Sequence, residues 1–236
     1  MIRAGRAQTK APMAQHYDLQ EQEQLATIKH FWQRWGTLLS TVVVLLFAAF
    51  AGFNGYQYWK ARQSGAAAVL FDQVQLATVQ NQRDAALQSL DVLQKSYGKT
   101  VQAGQASLLA GKYLADQQDW AAAAQAFEWV RANAGDPGFK ALAALHQSAV
   151  QIEQQQWDAA LATLDGYAFP AEFRGLKEDR RGDVLQQQGK TEQAIAAYNA
   201  AYEALDAWSP YRVVVESKLN ALGQQPKARP AGAAGA

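Results

Sequence analysis

Residues 182–203 read GDVLQQQGKTEQAIAAYNAAYE, and this stretch decides the fold. Its second part, TEQAIAAY (191–198), aligns with RDAALQSL (83–90), WAAAAQAF (120–127) and WDAALATL (157–164). The four segments start 37, 37 and 34 residues apart. Each has a small residue at its fourth position: Ala86, Ala123, Ala160 and Ala194. Each has a large apolar residue four places on: Leu90, Phe127, Leu164 and Tyr198. Positions four apart share a helix face. The alanine lets a neighbouring helix cross closely, and the large residue fills the groove toward the next unit.

A further helical stretch precedes each segment, for example LLAGKYLADQQD (108–119) and GDVLQQQGK (182–190). Pro137, Pro170 and Pro210 punctuate the ends of the last three units, because proline cannot continue a helix. The pattern predicts helix-turn-helix repeats with the period of a tetratricopeptide array. Gly111 and Gly182 in the first helices permit close packing. Asp84, Asp119, Asp158 and Thr191 stand where second helices begin and are expected to cap them. The match is weakest in the first unit, which lacks the glycine, and Ser148 and Val130 depart from the pattern in later ones. A generic alanine-rich bundle is the plainer alternative, but it does not explain three residue classes recurring in register. Residues 210–222, PYRVVVESKLNAL, are expected to form a capping helix over the last open face. The remainder, 223–236, has the composition of a disordered tail.

Outward from the repeats toward the N-terminus lies WGTLLSTVVVLLFAAFAGFNGYQY (35–58), with no charge between Arg34 and Lys60. About 20 apolar residues cross the roughly 30 Å hydrocarbon core of a bilayer as a helix. Trp32 and Trp35 flank one end, and Tyr56, Tyr58 and Trp59 the other, as aromatic belts do at headgroup depth. Lys29, Arg34, Lys60 and Arg62 lie outside the belts, where long stems bury and charges stay wet. Leu38, Val43, Leu46, Phe47, Phe50, Gly52 and Gly55 are expected to lie within the membrane span. Gly52 and Gly55 form a small-residue pair that admits another helix, though ordinary membrane-helix glycine content accounts for it too. A cleaved signal peptide is disfavoured, since the apolar run starts late and bulky residues come after it. A buried core helix is disfavoured because residues 42–53 have no polar face.

Residues 1–34 hold five Lys/Arg, and the positive-inside rule keeps that tail cytoplasmic and exports the large domain. Close to the membrane the basic residues balance, two against two. Met13 is an alternative start, because MIRAGRAQTKAP differs in character from the chain after it; with that start, charge alone no longer sets the topology. Leu25, Ile28, Trp32 and Trp35 share a stripe. This reads either as an amphipathic helix on the inner leaflet or as an extension of the membrane helix.

There is no cysteine, which excludes disulfides and Cys-ligated sites. From residue 61 onward 16 Lys/Arg face 18 Asp/Glu, so the exported part has no electrostatic footprint for nucleic acid. Of three histidines only His146 lies beyond the span, so no metal motif or His-paired nucleophile can be assembled. No phosphate-binding glycine loop is present. Asp179 and Asp183, with Arg180 and Arg181 between them, read as a solvated charged face rather than an acid–base pair. No active site and no cofactor are expected. Trp120 and Trp157 occupy matching repeat positions and are expected to pack. Trp129 and Trp208 have no counterpart, and are candidate aromatic anchors for a partner or further packing residues. The inner face of such a solenoid is lined by first helices. In this register it includes Lys112, Asp116, Leu145, Glu153, Asp179 and Asp183, the candidate partner-binding groove.

The layout as a whole resembles the YfgM family, ancillary subunits of the bacterial Sec translocon. The resemblance covers residue 14 to about residue 222. It rests on the acidic, glutamine-containing lead-in YDLQEQEQLATIKHFWQRWG, one span, the aromatic stretch GYQYWKARQ and helical repeats. It implies an inner-membrane protein with periplasmic repeats. It also implies association with the SecYEG channel and with a membrane-anchored periplasmic chaperone of the prolyl-isomerase type, and a link to the Rcs envelope-stress pathway. It brings no catalytic residues.

The expected fold is all-α. It comprises a cytoplasmic tail (1–34), a transmembrane helix (35–59) and a tetratricopeptide-like solenoid of about four hairpins plus cap (60–222), then the disordered tail. The expected function is a membrane-tethered, non-enzymatic scaffold that holds a chaperone beside the translocon. The rival expectations are a stress-signalling regulator acting through its cytoplasmic tail and a scaffold for envelope assembly.

Overall fold

A computed structural model describes residues 19–226, and its regular structure is entirely helical. The elements are α1 (Leu19–Val79), α2 (Arg83–Tyr97), α3 (Val101–Asp116), α4 (Trp120–Asn133), α5 (Pro137–Glu153), α6 (Trp157–Asp165), α7 (Arg174–Gln187), α8 (Thr191–Ala204) and α9 (Arg212–Ala221). A single 3-10 turn, Ala171–Phe173, precedes α7. Arg3, Arg6, Lys10, Met13 and residues 227–236 of the expected disordered tail lie outside the described residues.

The chain divides after Trp59 into two units. In the first, α1 is long and apolar enough to cross a membrane. Leu38, Val43, Leu46, Phe47 and Phe50 are all exposed, and nothing lies within 4 Å of a Cβ placed on Gly52 or Gly55. The stripe residues Leu25, Ile28, Trp32 and Trp35 belong to α1 itself, with no break before the apolar run.

The second unit starts at Lys60, and its first helical stretch is the C-terminal end of α1. Ala67 and Val74 from that stretch are fully buried with Leu90 and Leu93 of α2 and Ala103, Ala106 and Ala110 of α3. The helical stretch expected before the first segment is therefore present, but it runs on from the anchor as one helix, with no breaker between them. Next come three hairpins, α3–α4, α5–α6 and α7–α8. The second helices begin at 83, 120, 157 and 191, where the repeat segments begin.

One turn serves all four hairpins. Asn81, Gln118, Gln155 and Gly189 have left-handed backbones, with φ of 56°, 61°, 58° and 73°. The next amide along donates to the carbonyl five residues back: Gln82 to Ala77, Asp119 to Leu114, Gln156 to Gln151, and Lys190 to Leu185, at 2.8–2.9 Å. This closes the end of the first helix in the Schellman manner. Only one of the four expected caps forms. Asp119 accepts from the Ala122 amide at 3.3 Å, whereas the N-cap residues of α2, α6 and α8 are Gln82, Gln156 and Lys190 and make no side-chain cap. Asp84, Asp158 and Thr191 sit inside their helices, because the turn sets the cap earlier, at Gln82, Gln156 and Lys190. Pro137 occupies the first turn of α5, where its missing N–H is harmless.

The small and large repeat positions meet inside each hairpin. A Cβ on Gly111 would stand 2.6 Å from the Phe127 ring, and one on Gly182 would stand 2.5 Å from the Tyr198 ring. In the α5–α6 hairpin, Ser148 and the smaller Leu164 hold these positions, both fully buried. In the first repeat, Val74 lies as far before Leu90 as Gly182 lies before Tyr198, so valine and leucine hold the same pair. Glycine accompanies an aromatic residue, and a side chain at the first position accompanies leucine, which keeps packed volume constant. The cap is formed by α9, whose Val215 and Leu219 are buried against Leu185, Tyr198 and Ala201.

Candidate binding face

The first helices of successive hairpins pack side by side, α3 against α5 and α5 against α7. Of the six expected groove residues, three lie open or at the margin. Lys112 and Asp116 form an exposed ion pair one turn apart on α3, at 2.7 Å. Glu153 is exposed at the end of α5. Leu145 is buried and belongs to the core.

Asp179 and Asp183 are not a solvated charged face, which corrects the sequence expectation. Asp179 is buried, and both of its oxygens accept from Lys218 Nζ at 2.8 Å. Its Oδ2 also accepts from the Tyr211 hydroxyl at 2.8 Å. Asp183 Oδ1 accepts from Lys218 at 2.6 Å and from Tyr198 at 2.9 Å. A buried carboxylate is tolerated when paired and hydrogen-bonded. Here the partner comes from the capping helix, more than thirty residues on, which no local spacing reveals. Burial, with the neighbouring Asp183, pushes the Tyr198 phenol far above its ordinary range; burial, with the hydrogen bond to Asp179, does the same to Tyr211. Both therefore stay protonated donors.

Between these two ends of the face stands His146 of α5. Its ring stacks on Phe127, with centroids 5.3 Å apart and planes 16° apart. Burial holds the imidazole below the usual histidine range, helped by the Arg180 and Lys112 cations and opposed by Asp116. Arg180 is the unusual member. Its Nε is buried without a hydrogen-bond partner, and its nearest carboxylate, Asp183, is 3.6 Å away. His146 and Arg180 were not among the sequence candidates. The signal that could have found them is their shared repeat position, since each stands two residues before the close-packing site of its helix, Ser148 or Gly182.

The two tryptophans separate. Trp129 packs between the first two hairpin cores. Trp208 is 92% exposed, in a turn where its amide donates to Asp206 Oδ1 at 2.8 Å. Trp120 is partly buried against the α3–α4 core. Among the described residues, no group of three or more His, Asp or Glu could hold a metal ion.

An apolar helix long enough for a bilayer, four helical hairpins with one repeated turn, and a capping helix define a membrane-anchored helical-repeat protein. Residues 29–224 match the family described as a tetratricopeptide repeat-like domain. An ancillary SecYEG translocon subunit of Neisseria gonorrhoeae is 34% identical over 89% of this chain and 100% of its own length. Proteins of the same description from Haemophilus influenzae and Escherichia coli are 27% and 26% identical, over 87% and 86% of this chain and 99% and 96% of theirs. The chain belongs to the YfgM family.

Proposed function

We propose that this protein is a non-enzymatic scaffold of the inner membrane that associates with the Sec translocon. It holds a membrane-anchored periplasmic chaperone of the prolyl-isomerase type near emerging secretory polypeptides. The observation that carries this reading is similarity along nearly the whole chain to relatives described as ancillary SecYEG translocon subunits. The basic tail supports a cytoplasmic N-terminus and periplasmic repeats. A tethered partner gains effective concentration, to about the millimolar range for a short linker, so two weak contacts suffice.

In vivo photo-crosslinking tests this from Phe47, exposed in the span, and Lys112, exposed on the first-helix face. The expected adducts are translocon subunits from Phe47 and a periplasmic chaperone from Lys112. Adducts with cell-wall or outer-membrane assembly factors, and none with the translocon, would refute it.

A further inference from the structure

We infer that the outer face of the capping helix α9, with Trp208 at its N-terminal edge, docks an amphipathic helix that carries basic residues beside its apolar stripe. The inference goes beyond the scaffold reading. It concerns a surface outside the first-helix face and holds whichever partner that face serves.

This face departs from what a cap requires. A terminal helix keeps a repeat array soluble by turning a polar side to water. On α9 the buried side carries Val215 and Leu219. The exposed side carries Val213, Val214, Ser217, Asn220 and Ala221, which recur at helical spacing and include no charge. Val213 is 69% exposed and Val214 42%. Trp208, at 92%, is the most exposed large apolar side chain among the described residues. Two tight turns bring it to the helix. Ser209 donates its amide to the Asp206 carbonyl at 3.0 Å, and Arg212 donates to the Ser209 carbonyl at 3.1 Å. Each such turn keeps its ends within about 7 Å, so Trp208 stands beside the first turn of α9, where Val213 lies.

Area and charge select the occupant. Trp208, Val213 and Val214 together offer roughly 400 Å² of apolar surface, a size that on a monomer often marks a binding site. One partner of a stable dimer contributes about 800 Å², so a second copy meeting cap to cap would bury too little. A single helix laid across the patch matches it. The charges beside the patch are acidic. Asp206 bonds the Trp208 amide at 2.8 Å, and Glu216 lies one turn along α9 from Val213. Neither makes an ion pair among the described residues. Both cations of α9 are engaged elsewhere, Arg212 over the Tyr202 ring at 3.8 Å from its centroid and Lys218 with Asp179. The rim therefore attracts a basic partner and repels an anionic bilayer surface. Residues 227–236, KARPAGAAGA, bring two cations but no large apolar side chain to cover the patch.

Three labelled peptides of about 15 residues test this. One has a leucine stripe at helical spacing flanked by lysines, one has the same stripe flanked by glutamates, and one is the lysine peptide scrambled so that no stripe forms. Fluorescence anisotropy is read with the full-length protein in nanodiscs of zwitterionic lipid, against empty discs. Native protein is expected to bind the lysine-flanked helix, and the other two about tenfold more weakly or worse. Trp208→Ala is expected to weaken binding about tenfold or more, and Val213→Ser less. Glu216→Gln should narrow the gap between the lysine-flanked and glutamate-flanked peptides. Circular dichroism of each variant confirms the fold.

The chain has no cysteine, so Ser217→Cys takes a single environment-sensitive dye in the middle of the face. Its emission is expected to shift to the blue when the lysine-flanked peptide is added, and only then. A blue shift without peptide that needs two copies per disc would make the occupant a second copy. One that needs anionic lipid would make it the bilayer, and tighter peptide binding on removal of residues 227–236 would make it the chain's own end. Each of these overturns the proposal, as does equal binding of the three peptides or binding indifferent to both Trp208→Ala and Val213→Ser. Failure of the scaffold reading looks different, because it removes the translocon adducts from Phe47 and leaves these measurements as they were.

Discussion

The Tyr198 ring occupies the space where a side chain at Gly182 would begin, 2.5 Å from the position of its Cβ. Tyr198 is fully buried and bonded to both Asp183 and Gln186, so it has no room to retreat. Gly182→Ala is therefore expected to cost about 1–3 kcal/mol by overpacking. In the Gly182→Ala, Tyr198→Leu double variant the two changes should be less damaging together than their sum, imitating the Ser148–Leu164 pair. Urea unfolding of the four species measures this, and strict additivity would contradict the volume pairing.

Lys218 joins the capping helix to α7 by neutralising Asp179. Lys218→Met strands a buried carboxylate and is expected to cost about 3 kcal/mol. Adding Asp179→Asn should return much of that loss. Hydrogen exchange should show α9 amides losing protection in the single variant before the rest of the domain does. Uniform loss across all hairpins would mean that the network does not act on the cap.

Gln118 and Gln155 hold left-handed turn positions that Gly189 holds in the last hairpin. A side chain there is strained, and glycine is not. Replacing either glutamine with glycine is expected to stabilise the fold by about 0.5–1 kcal/mol, despite the looser unfolded chain. A lowered thermal midpoint in both variants would refute this.

Asp119 caps α4 and also accepts from Arg83 Nε at 2.9 Å, linking the first two repeats. The hydrogen bond from Arg83 holds its carboxyl below the ordinary value of 3.8. A depressed folded-state value contributes stability above the unfolded value, and that contribution is lost as pH falls through the folded value. Asp119→Ala is expected to cost about 1 kcal/mol at neutral pH. The gap to the native protein should persist down to about pH 4 and close below it. A gap independent of pH would assign the effect to packing alone.

Trp129 and Trp208 should behave oppositely. Trp129→Ala opens a hole between two packed clusters and is expected to cost about 3 kcal/mol or more. Trp208→Ala removes an exposed ring and should change stability by no more than about 0.5 kcal/mol. Thermal unfolding of the two variants decides this, and destabilisation by Trp208→Ala would show that its ring packs.

Much of the architecture was legible because its causes are local. An uncharged apolar run states its own solvent. Small and large residues four apart state a helix face, so the second helices begin where the segments begin. Three of the four N-caps were placed one or two residues too late because the left-handed turn sets the register, and glutamine at Gln118 or Gln155 gives no sign of that backbone. The helical stretch leading the first repeat runs on from the anchor without a breaker, so no local signal separates the two. On the candidate face, Lys112 and Asp116 were placed in the open, but Leu145 and Asp179 are buried and Arg180 was passed over as a surface charge.

The sequence alone determined the helical class, the single apolar span and the repeat period, since each arises from spacing within one turn or one hairpin. Only the tertiary structure decided which charges are bound across helices. Asp179 and Arg180 are adjacent in the chain, yet one is bound by Lys218 of the distant capping helix and the other has no hydrogen-bond partner among the described residues. Pairing of charges across helices depends on packing distances that no local pattern encodes.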